Sequence, residues 1–158
     1  MWQKRAARDI KDLLDNGFEV TGENGNKDYN IESFLTSIEG PKDSPYENCF
    51  WHVRFTITPN FPFSSPSVGF VEKILHANID EASGSICLDA LNKAWSPHFT
   101  LRHICETILP YLLSYPNPDD GLNRDAAYLM KTNPTAFDKR VRQHSKANAY
   151  KVKDEKEQ

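Results

Sequence analysis

Cysteine has the widest chemistry of any residue type in this chain, because its thiolate can attack carbonyls, bind metals or form disulfides. Of the three cysteines, Cys87 lies in the polar, glycine-containing stretch Ser-Gly-Ser-Ile-Cys-Leu-Asp at 83–89. This composition predicts a loop, where a thiolate can meet a substrate. Its setting therefore makes Cys87 the candidate nucleophile.

The other two cysteines follow apolar patterns. Cys49 begins the run 49–57, in which every second residue is apolar, as on the buried face of a strand. Cys105 lies on a helical stripe with Leu101, Ile104, Ile108 and Leu112. Both are predicted to be core residues. An odd number of cysteines without Cys-x-x-Cys spacing predicts neither a disulfide framework nor a zinc site, and it favours a reducing compartment.

Two further groups could assist a nucleophile at Cys87. Asn78 offers an amide donor that could stabilise an oxyanion, although an asparagine in a turn also bonds its own backbone. Asp119 and Asp120 follow a proline-rich turn, where they could simply cap the next helix.

Histidine is the usual base for a cysteine nucleophile, and His76, His98 and His103 are candidates. His103 falls in a predicted helix, and no protease-like signature accompanies any of the three. A cysteine hydrolase is therefore a disfavoured alternative.

These residues need elements to position them. The sequence predicts an amphipathic helix to about Asn16, which Gly17 ends, and strands at 18–21, 31–39, 50–58 and 67–71. The irregular segment from 76 to about 100 is long enough to suggest function. A helix that begins at Leu101 should kink at Pro110. Either Asp120 or Asn123 should cap the next helix, and Asn133-Pro134 should begin the last one. The order predicts an α+β fold with a four-stranded antiparallel meander.

Composition sets the broad class. With 158 residues, 39% of them apolar, the chain should form one globular domain at 1–150, followed by a short charged tail at 151–158. A net charge of −3 argues against a general nucleic-acid binder. Because no apolar stretch is long enough for a signal peptide or a membrane span, we expect a cytoplasmic or nuclear protein without a membrane partner.

Several short motifs surround Cys87. In chain order they are Pro45-Tyr46-Glu47, Phe61-Pro62-Phe63-Ser64-Ser65-Pro66, His76-Ala77-Asn78, Gly84-Ser85-Ile86-Cys87-Leu88-Asp89, Trp95-Ser96-Pro97 and Pro116-Asn117-Pro118-Asp119-Asp120. In this order and spacing they resemble the E2 ubiquitin-conjugating enzymes over nearly the whole chain. The stretches 18–21, 78–84 and 113–116 look most like the branch associated with histone ubiquitination.

The chain departs from the family pattern at several positions. Ala77 and Gly121 stand where proline is usual, and Asn48-Cys49 stands where two glycines are common. Glycine at 121 should loosen the loop that carries Asp120, because it widens the accessible backbone. The tail is mixed in charge, whereas the histone-linked branch often has an acidic one.

The resemblance implies two acyl transfers. Cys87 would accept ubiquitin from an E1 enzyme as a thioester and pass it to a substrate lysine, usually with an E3. Asn78 would stabilise the oxyanion, Asp120 would stand at the gate for the lysine, and His76 would be structural. The alternatives are an E2 for a ubiquitin-like modifier, or a non-catalytic ubiquitin-binding variant, although such variants lack the cysteine.

The resemblance also implies partners. The basic face predicted to dock E1 consists of Lys4, Arg5, Arg8 and Lys11. The surface for an E3, most simply of the RING type, consists of Phe63, Pro97 and His98. No metal or bound cofactor is implied, since the partner E1 consumes the ATP.

Overall fold

A computed structural model describes residues 1–153. The first element is helix α1, Trp2–Asp15, whose apolar stripe buries Ala6, Ile10 and Leu13. Gly17 follows with a positive φ of 88°, a conformation that glycine adopts without steric cost. The predicted first helix and its glycine stop are confirmed.

The sheet is antiparallel and centres on one long strand. Strand β1 is Ser33–Glu39, β2 is Cys49–Thr56, β3 is Ser67–Phe70 and β4 is Lys151–Val152. All three others pair with β2. Alternate residues of β2 are buried, as the period of two predicts, and Phe55 stacks on Phe34 of β1 with ring centroids 5.4 Å apart.

The predicted four-stranded α+β fold is confirmed, but one strand is not where the sequence places it. The run 18–21 contributes only an isolated bridge, between Thr21 and Leu35. The fourth strand is β4, which pairs Val152 with Cys49 beyond the end of β3. Two residues are too few to show an alternating pattern, and they lie in the segment expected to be a charged tail. Residues 154–158 of that segment lie outside the described part.

The remaining elements are helical. Helix α2 is Leu88–Ala94, and α3 is continuous through the segments Leu101–His103, Ile104–Ile108 and Leu109–Ser114. After a 3-10 turn at Pro118–Asp120 come α4, Arg124–Thr132, and α5, Pro134–Asn148. None of the helices within residues 1–153 is long and apolar enough to cross a membrane.

Two details of the helices differ from the sequence prediction. The long irregular segment contains α2, which begins directly after Cys87. In α3 the expected disturbance at Pro110 takes the form of a π-helical turn over Ile104–Ile108, where Leu109 N donates to Ile104 O. The predicted cap is confirmed at α5, where Asn133 Oδ1 accepts from Ala136 N at 3.1 Å.

Candidate active site

Cys87 is exposed and lies immediately before α2. Just upstream, Ile79 and Ile86 form an isolated antiparallel bridge. Asn78 and Cys87 each adjoin a residue of this bridge, and paired residues of antiparallel segments lie close together. The bridge therefore brings together the two segments that carry the candidate nucleophile and the candidate amide donor.

The other cysteines are core residues, as predicted. Cys49 is 2% exposed and Cys105 is 3% exposed. Burial raises the pKa of both thiols, because a thiolate is costly in an apolar setting. Cys87 is thus the only cysteine that an incoming protein can reach.

The chain before Cys87 is fixed by local hydrogen bonds. The Asp80 carboxylate accepts from Ser83 N at 2.9 Å and from Ser83 Oγ at 2.5 Å, and these bonds lower the pKa of Asp80. Gly84 has a φ of 76°, and a Cβ there would overlap the carbonyl oxygen of Phe70. Only glycine fits this position, so the backbone that leads to Cys87 has a defined conformation.

His76 is fully buried, and its two ring nitrogens have different roles. Nδ1 accepts from Asn78 N at 2.9 Å, so Nε2 must carry the hydrogen, which it donates to Leu112 O at 2.8 Å. Burial lowers the pKa of His76 to about 4, against a smaller raising effect of the bond to Leu112. Because both ring nitrogens of His76 are already hydrogen-bonded, the ring cannot take a proton from Cys87. This arrangement agrees with a structural role for His76.

The Asn78 side chain joins two loops. Its Nδ2 donates to Asn117 O at 2.8 Å and to Asp120 O at 3.1 Å, and its Oδ1 accepts from Asn117 N at 2.7 Å. Both hydrogens of the amide are therefore in use. An oxyanion could receive one of them only if a bond to the 117–120 loop is released.

Asp120 does not cap a helix. Helix α4 is capped by Asn123, whose Oδ1 accepts from Ala126 N at 3.1 Å. The carboxylate of Asp119 is 2.7 Å from Lys131 Nζ, whereas Asp120 is exposed to solvent. Of the two caps that the sequence allowed for α4, Asn123 is correct and Asp120 is wrong.

The arrangement suits an acyl donor that arrives already activated. It presents an exposed thiol, an amide on the adjacent segment and a carboxylate on the loop that this amide holds, and the buried histidine His76 is kept neutral. The family profile described as ubiquitin-conjugating enzyme matches residues 5–145. The chain belongs to the ubiquitin-conjugating enzyme family.

Individual relatives agree with this assignment. The E2 chain is 43% identical over 141 residues to ubiquitin-conjugating enzyme E2 5 of Arabidopsis thaliana, covering 89% of this chain and 74% of that protein. It is 39% identical over 151 residues to ubiquitin-conjugating enzyme E2-24 kDa of Saccharomyces cerevisiae, covering 96% and 67%. The solved E2 domain of a Toxoplasma gondii ubiquitin conjugating enzyme matches with a TM-score of 0.80 at 30% identity, covering 93% and 98%. The predicted family, fold and enzyme class are confirmed.

The basic face predicted to dock E1 lies on α1. Lys4, Arg8 and Lys11 are exposed, and Lys11 pairs with Asp15 at 2.8 Å on the surface. Because exposed pairs of this kind are weak, all three cations remain open to a partner.

Arg5 lies on the same helix but is less exposed than these three, and its place in the E1 surface stays a prediction. Its side chain is only 17% exposed, and its Nε donates to Asp9 Oδ1 at 3.0 Å. Its terminal nitrogens donate to Pro97 O at 2.8 Å and to Phe99 O. Asp9 in turn accepts from Leu101 N at 3.3 Å, and burial raises the pKa of its carboxyl against the opposing effect of Arg5. Arg5 therefore fastens α1 to the loop before α3.

The two loops predicted to bind an E3 lie side by side in the E2. Phe63 is 77% exposed, and Pro97 and His98 are exposed as well. Trp95 Nε1 donates to Pro62 O at 2.7 Å and joins the loops from beneath. Since Arg5 binds the second loop, the basic face of α1 and this surface are contiguous rather than separate.

Sequence reasoning missed two residues that organise the E2 site. Asn117 supplies the backbone groups that Asn78 binds, and Asp9 holds both Arg5 and the start of α3. Asp9 carried a signal, because it interrupts the apolar stripe of α1 between Ala6 and Ile10. Asn117 carried one as well, because it precedes a proline as Asn133 does, and its Oδ1 accepts from Asp119 N at 3.0 Å at the start of the 3-10 turn.

Proposed function

We propose that Cys87 is the residue of this E2 that carries ubiquitin. The thiolate attacks the thioester carbonyl that joins ubiquitin to E1, and the E1 cysteine leaves as a thiolate. A substrate lysine amine then attacks the Cys87 thioester, loses its proton and forms an isopeptide bond, while the Cys87 thiolate leaves. The observation that carries the proposal is that Cys87 is exposed and directly follows the Ile79–Ile86 bridge, which joins its segment to the one that carries Asn78.

Asn78 acts on the second transfer through the loop it holds. Its bonds to Asn117 and to Asp120 O fix the backbone from which the Asp120 side chain projects. The Asp120 carboxylate accepts the amine proton or aligns the amine with the thioester. Asn78 can also donate to the oxyanion, provided that the longer bond, to Asp120 O, opens during attack.

The partners follow from the exposed surfaces. Lys4, Arg8 and Lys11 present positive charge to an acidic E1 domain, and charge complementarity of this kind speeds encounter. Phe63 is an exposed aromatic anchor beside Pro97 and His98, which suits a small interface with a RING-type E3. Because these surfaces adjoin through Arg5, E1 and E3 compete for the enzyme.

The modifier is ubiquitin, and the enzyme works in the cytoplasm or the nucleus. The likeness of 18–21, 78–84 and 113–116 supports the histone-linked branch, whereas the mixed charge of the 151–158 tail argues against histone as the substrate. No cofactor takes part on this chain, since E1 consumes the ATP that activates ubiquitin.

One incubation tests the proposal. The protein is mixed with E1, ATP and ubiquitin and then run on a non-reducing gel, with parallel samples that contain a ubiquitin-like modifier and its own E1. An adduct with ubiquitin that disappears on thiol treatment is expected. An adduct only with the ubiquitin-like modifier would assign the enzyme to that pathway, and hydrolysis of peptide or isopeptide bonds without E1 and ATP would instead indicate a cysteine hydrolase.

A further inference from the structure

Strand β1 has a partly free edge on the side away from β2. On this side Leu35 N donates to Thr21 O at 2.8 Å, and Thr21 N donates to Leu35 O at 3.0 Å. Since every second residue of a strand directs its N–H and C=O to the same side, the backbone groups of Ser37 and Glu39 point this way too. Among residues 1–153 they have no hydrogen-bond partner. Two ladder positions of β1 are therefore open.

The segment that the sequence predicts as a strand beside β1 leaves the helix too late to fill these positions. Phe18 N still donates to Leu13 O at 3.0 Å, as part of the end of α1 after the turn at Gly17. The segment pairs with β1 only at Thr21. A groove of about 730 Å³ remains, and it is lined by residues 17–19 and 37–39.

The side chains along this edge alternate in chemistry. Ile38 is 4% exposed and belongs to the hydrophobic core, as does Cys105, which also lines the groove. Ser37 and Glu39 lie on the opposite face of the strand. In a strand added at this edge, a residue opposite Ile38 would meet an apolar surface, and residues opposite Ser37 and Glu39 would meet polar side chains.

The charge of the groove is mainly negative. Glu19 and Glu39 both line it and are exposed. Lys151, the one cation in the described lining, lies over the Phe50 ring at 5.1 Å. Because opposite charges on directly opposed residues of neighbouring strands attract, a basic residue suits the position opposite Glu39. Residues 154–158, Asp-Glu-Lys-Glu-Gln, are mainly acidic and do not match this charge.

We propose that the free edge of β1 binds an extended segment of a partner protein as an added strand. The backbone of the segment pairs with Ser37 and Glu39, an apolar side chain lies opposite Ile38, and a basic side chain lies opposite Glu39. Backbone bonds of this kind give affinity, and pockets for alternate side chains give specificity. The binding needs no thioester and therefore does not depend on the function proposed for Cys87.

The probe is the capped peptide Val-Lys-Val-Thr-Val, whose lysine, central valine and threonine face Glu39, Ile38 and Ser37 in antiparallel pairing. It is titrated into the ¹⁵N-labelled full chain, and amide NMR shifts and hydrogen exchange are recorded. Saturable shifts are expected at 17–19 and 37–39, with slower exchange of the Ser37 and Glu39 amides. N-methylation of the peptide at lysine and threonine should abolish binding, because those groups pair with β1. N-methylation of the central valine is the matched control, since its N–H points away.

A charge swap tests the basic position. Replacing the peptide lysine by glutamate should raise the dissociation constant about fivefold or more, because attraction becomes repulsion. Glu39→Lys should reverse this preference. Glu32→Lys is the control variant, since Glu32 is exposed and does not line the groove.

The remaining outcomes would overturn the proposal. Shifts that avoid 37–39, or equal binding by the peptide methylated at lysine and threonine, would exclude strand addition. Equal affinity of wild type for the basic and acidic peptides would exclude the charge match. Without peptide, concentration-dependent shifts at Ser37 and Glu39 would assign the edge to a second copy of the chain. Slow exchange there that is lost on removal of 154–158 would assign it to the chain's own end.

Discussion

Asn78 and Asn117 are joined by two reciprocal hydrogen bonds, from Asn78 Nδ2 to Asn117 O at 2.8 Å and from Asn117 N to Asn78 Oδ1 at 2.7 Å. A side-chain amide that pairs with a peptide group in this way substitutes for a strand neighbour. It ties the 117–120 loop to the segment that faces Cys87. The position of Asp120 thus depends on Asn78 as well as on its own turn.

A double-mutant cycle separates the two ways in which Asn78 can act. Asn78→Ala should leave loading unchanged and slow discharge to lysine, by on the order of a hundredfold or more if an oxyanion donor is lost. If Asn78 works by holding the loop, adding Asp120→Asn should cost little more, because both changes remove the same contribution. Discharge rates are measured on the isolated thioesters of wild type, the two single variants and the double variant.

If the two losses multiply instead, Asn78 is an independent oxyanion donor. If the Asn78→Ala variant discharges ubiquitin to lysine at the wild-type rate, both roles are contradicted. Asn26→Ala is a matched control, because Asn26 lies in an exposed turn far along the chain from the site.

Asp120→Asn tests the carboxylate alone. Because Asn123 and not Asp120 caps α4, the melting temperature should not change. Discharge to lysine should slow. A carboxylate near an amine favours the ammonium form, so any benefit must come from proton acceptance or alignment. With proton acceptance the deficit shrinks at high pH, where more amine is already neutral, and with alignment it persists. Rates measured over a pH series distinguish the two, and equal rates at every pH would leave Asp120 without a role.

Local patterns predicted much of this structure. The apolar stripe of α1, the alternation in β2 and the Asn133-Pro134 helix start each depend on neighbours in sequence, and all three are confirmed. The burial of Cys49 and Cys105 followed from the same patterns.

What the sequence could not show depends on distant contacts. The sequence predicts that Arg5 is one cation of a basic face. In the structure its guanidinium binds the carbonyls of Pro97 and Phe99, which lie more than ninety positions away in the chain. Strand β4 exists because β2 extends beyond β3 and offers an unpaired edge. Tertiary packing decides both features.

Arg5 and the exposed cations of α1 should respond differently to mutation. Arg5→Ala leaves the Asp9 carboxylate buried without its closest partner, which should reduce the free energy of unfolding by on the order of 3 kcal/mol. Arg8 is 71% exposed, so Arg8→Ala should change it by about 0.5 kcal/mol or less. Urea denaturation measures both, and equal values would show that the internal role of Arg5 is wrong.

Loading assays complete this comparison. Charge reversal at Lys4 and Arg8 should weaken loading by E1 without unfolding the protein, with a defect that grows weaker in high salt. Phe63→Ala is the control for the neighbouring surface, since it should slow E3-stimulated discharge and spare loading. A Phe63 variant that loads as poorly as the charge reversal would contradict the assignment of the two surfaces.

His76 should make stability depend on pH. Its pKa falls from 6.5 to about 4 on folding, so the folded protein binds fewer protons than the unfolded chain between these values. The contribution of neutral His76 is complete above pH 6.5 and is lost as the pH falls through 4, amounting to on the order of 3 kcal/mol. His76→Gln keeps a donor for Leu112 O but cannot titrate, so its unfolding free energy should fall less between pH 6.5 and 4. Parallel curves for the two proteins would contradict this assignment.

The identity of the residue that carries ubiquitin is the central claim, and one gel tests it. Wild type, Cys87→Ser, Cys87→Ala and the double variant Cys49→Ala/Cys105→Ala are each incubated with E1, ATP and ubiquitin and run with and without thiol. Wild type and the double variant should give a thiol-sensitive adduct, Cys87→Ser a thiol-resistant oxyester, and Cys87→Ala no adduct. A thiol-sensitive adduct on Cys87→Ala would contradict the account, because ubiquitin would then be carried by a cysteine that the structure buries.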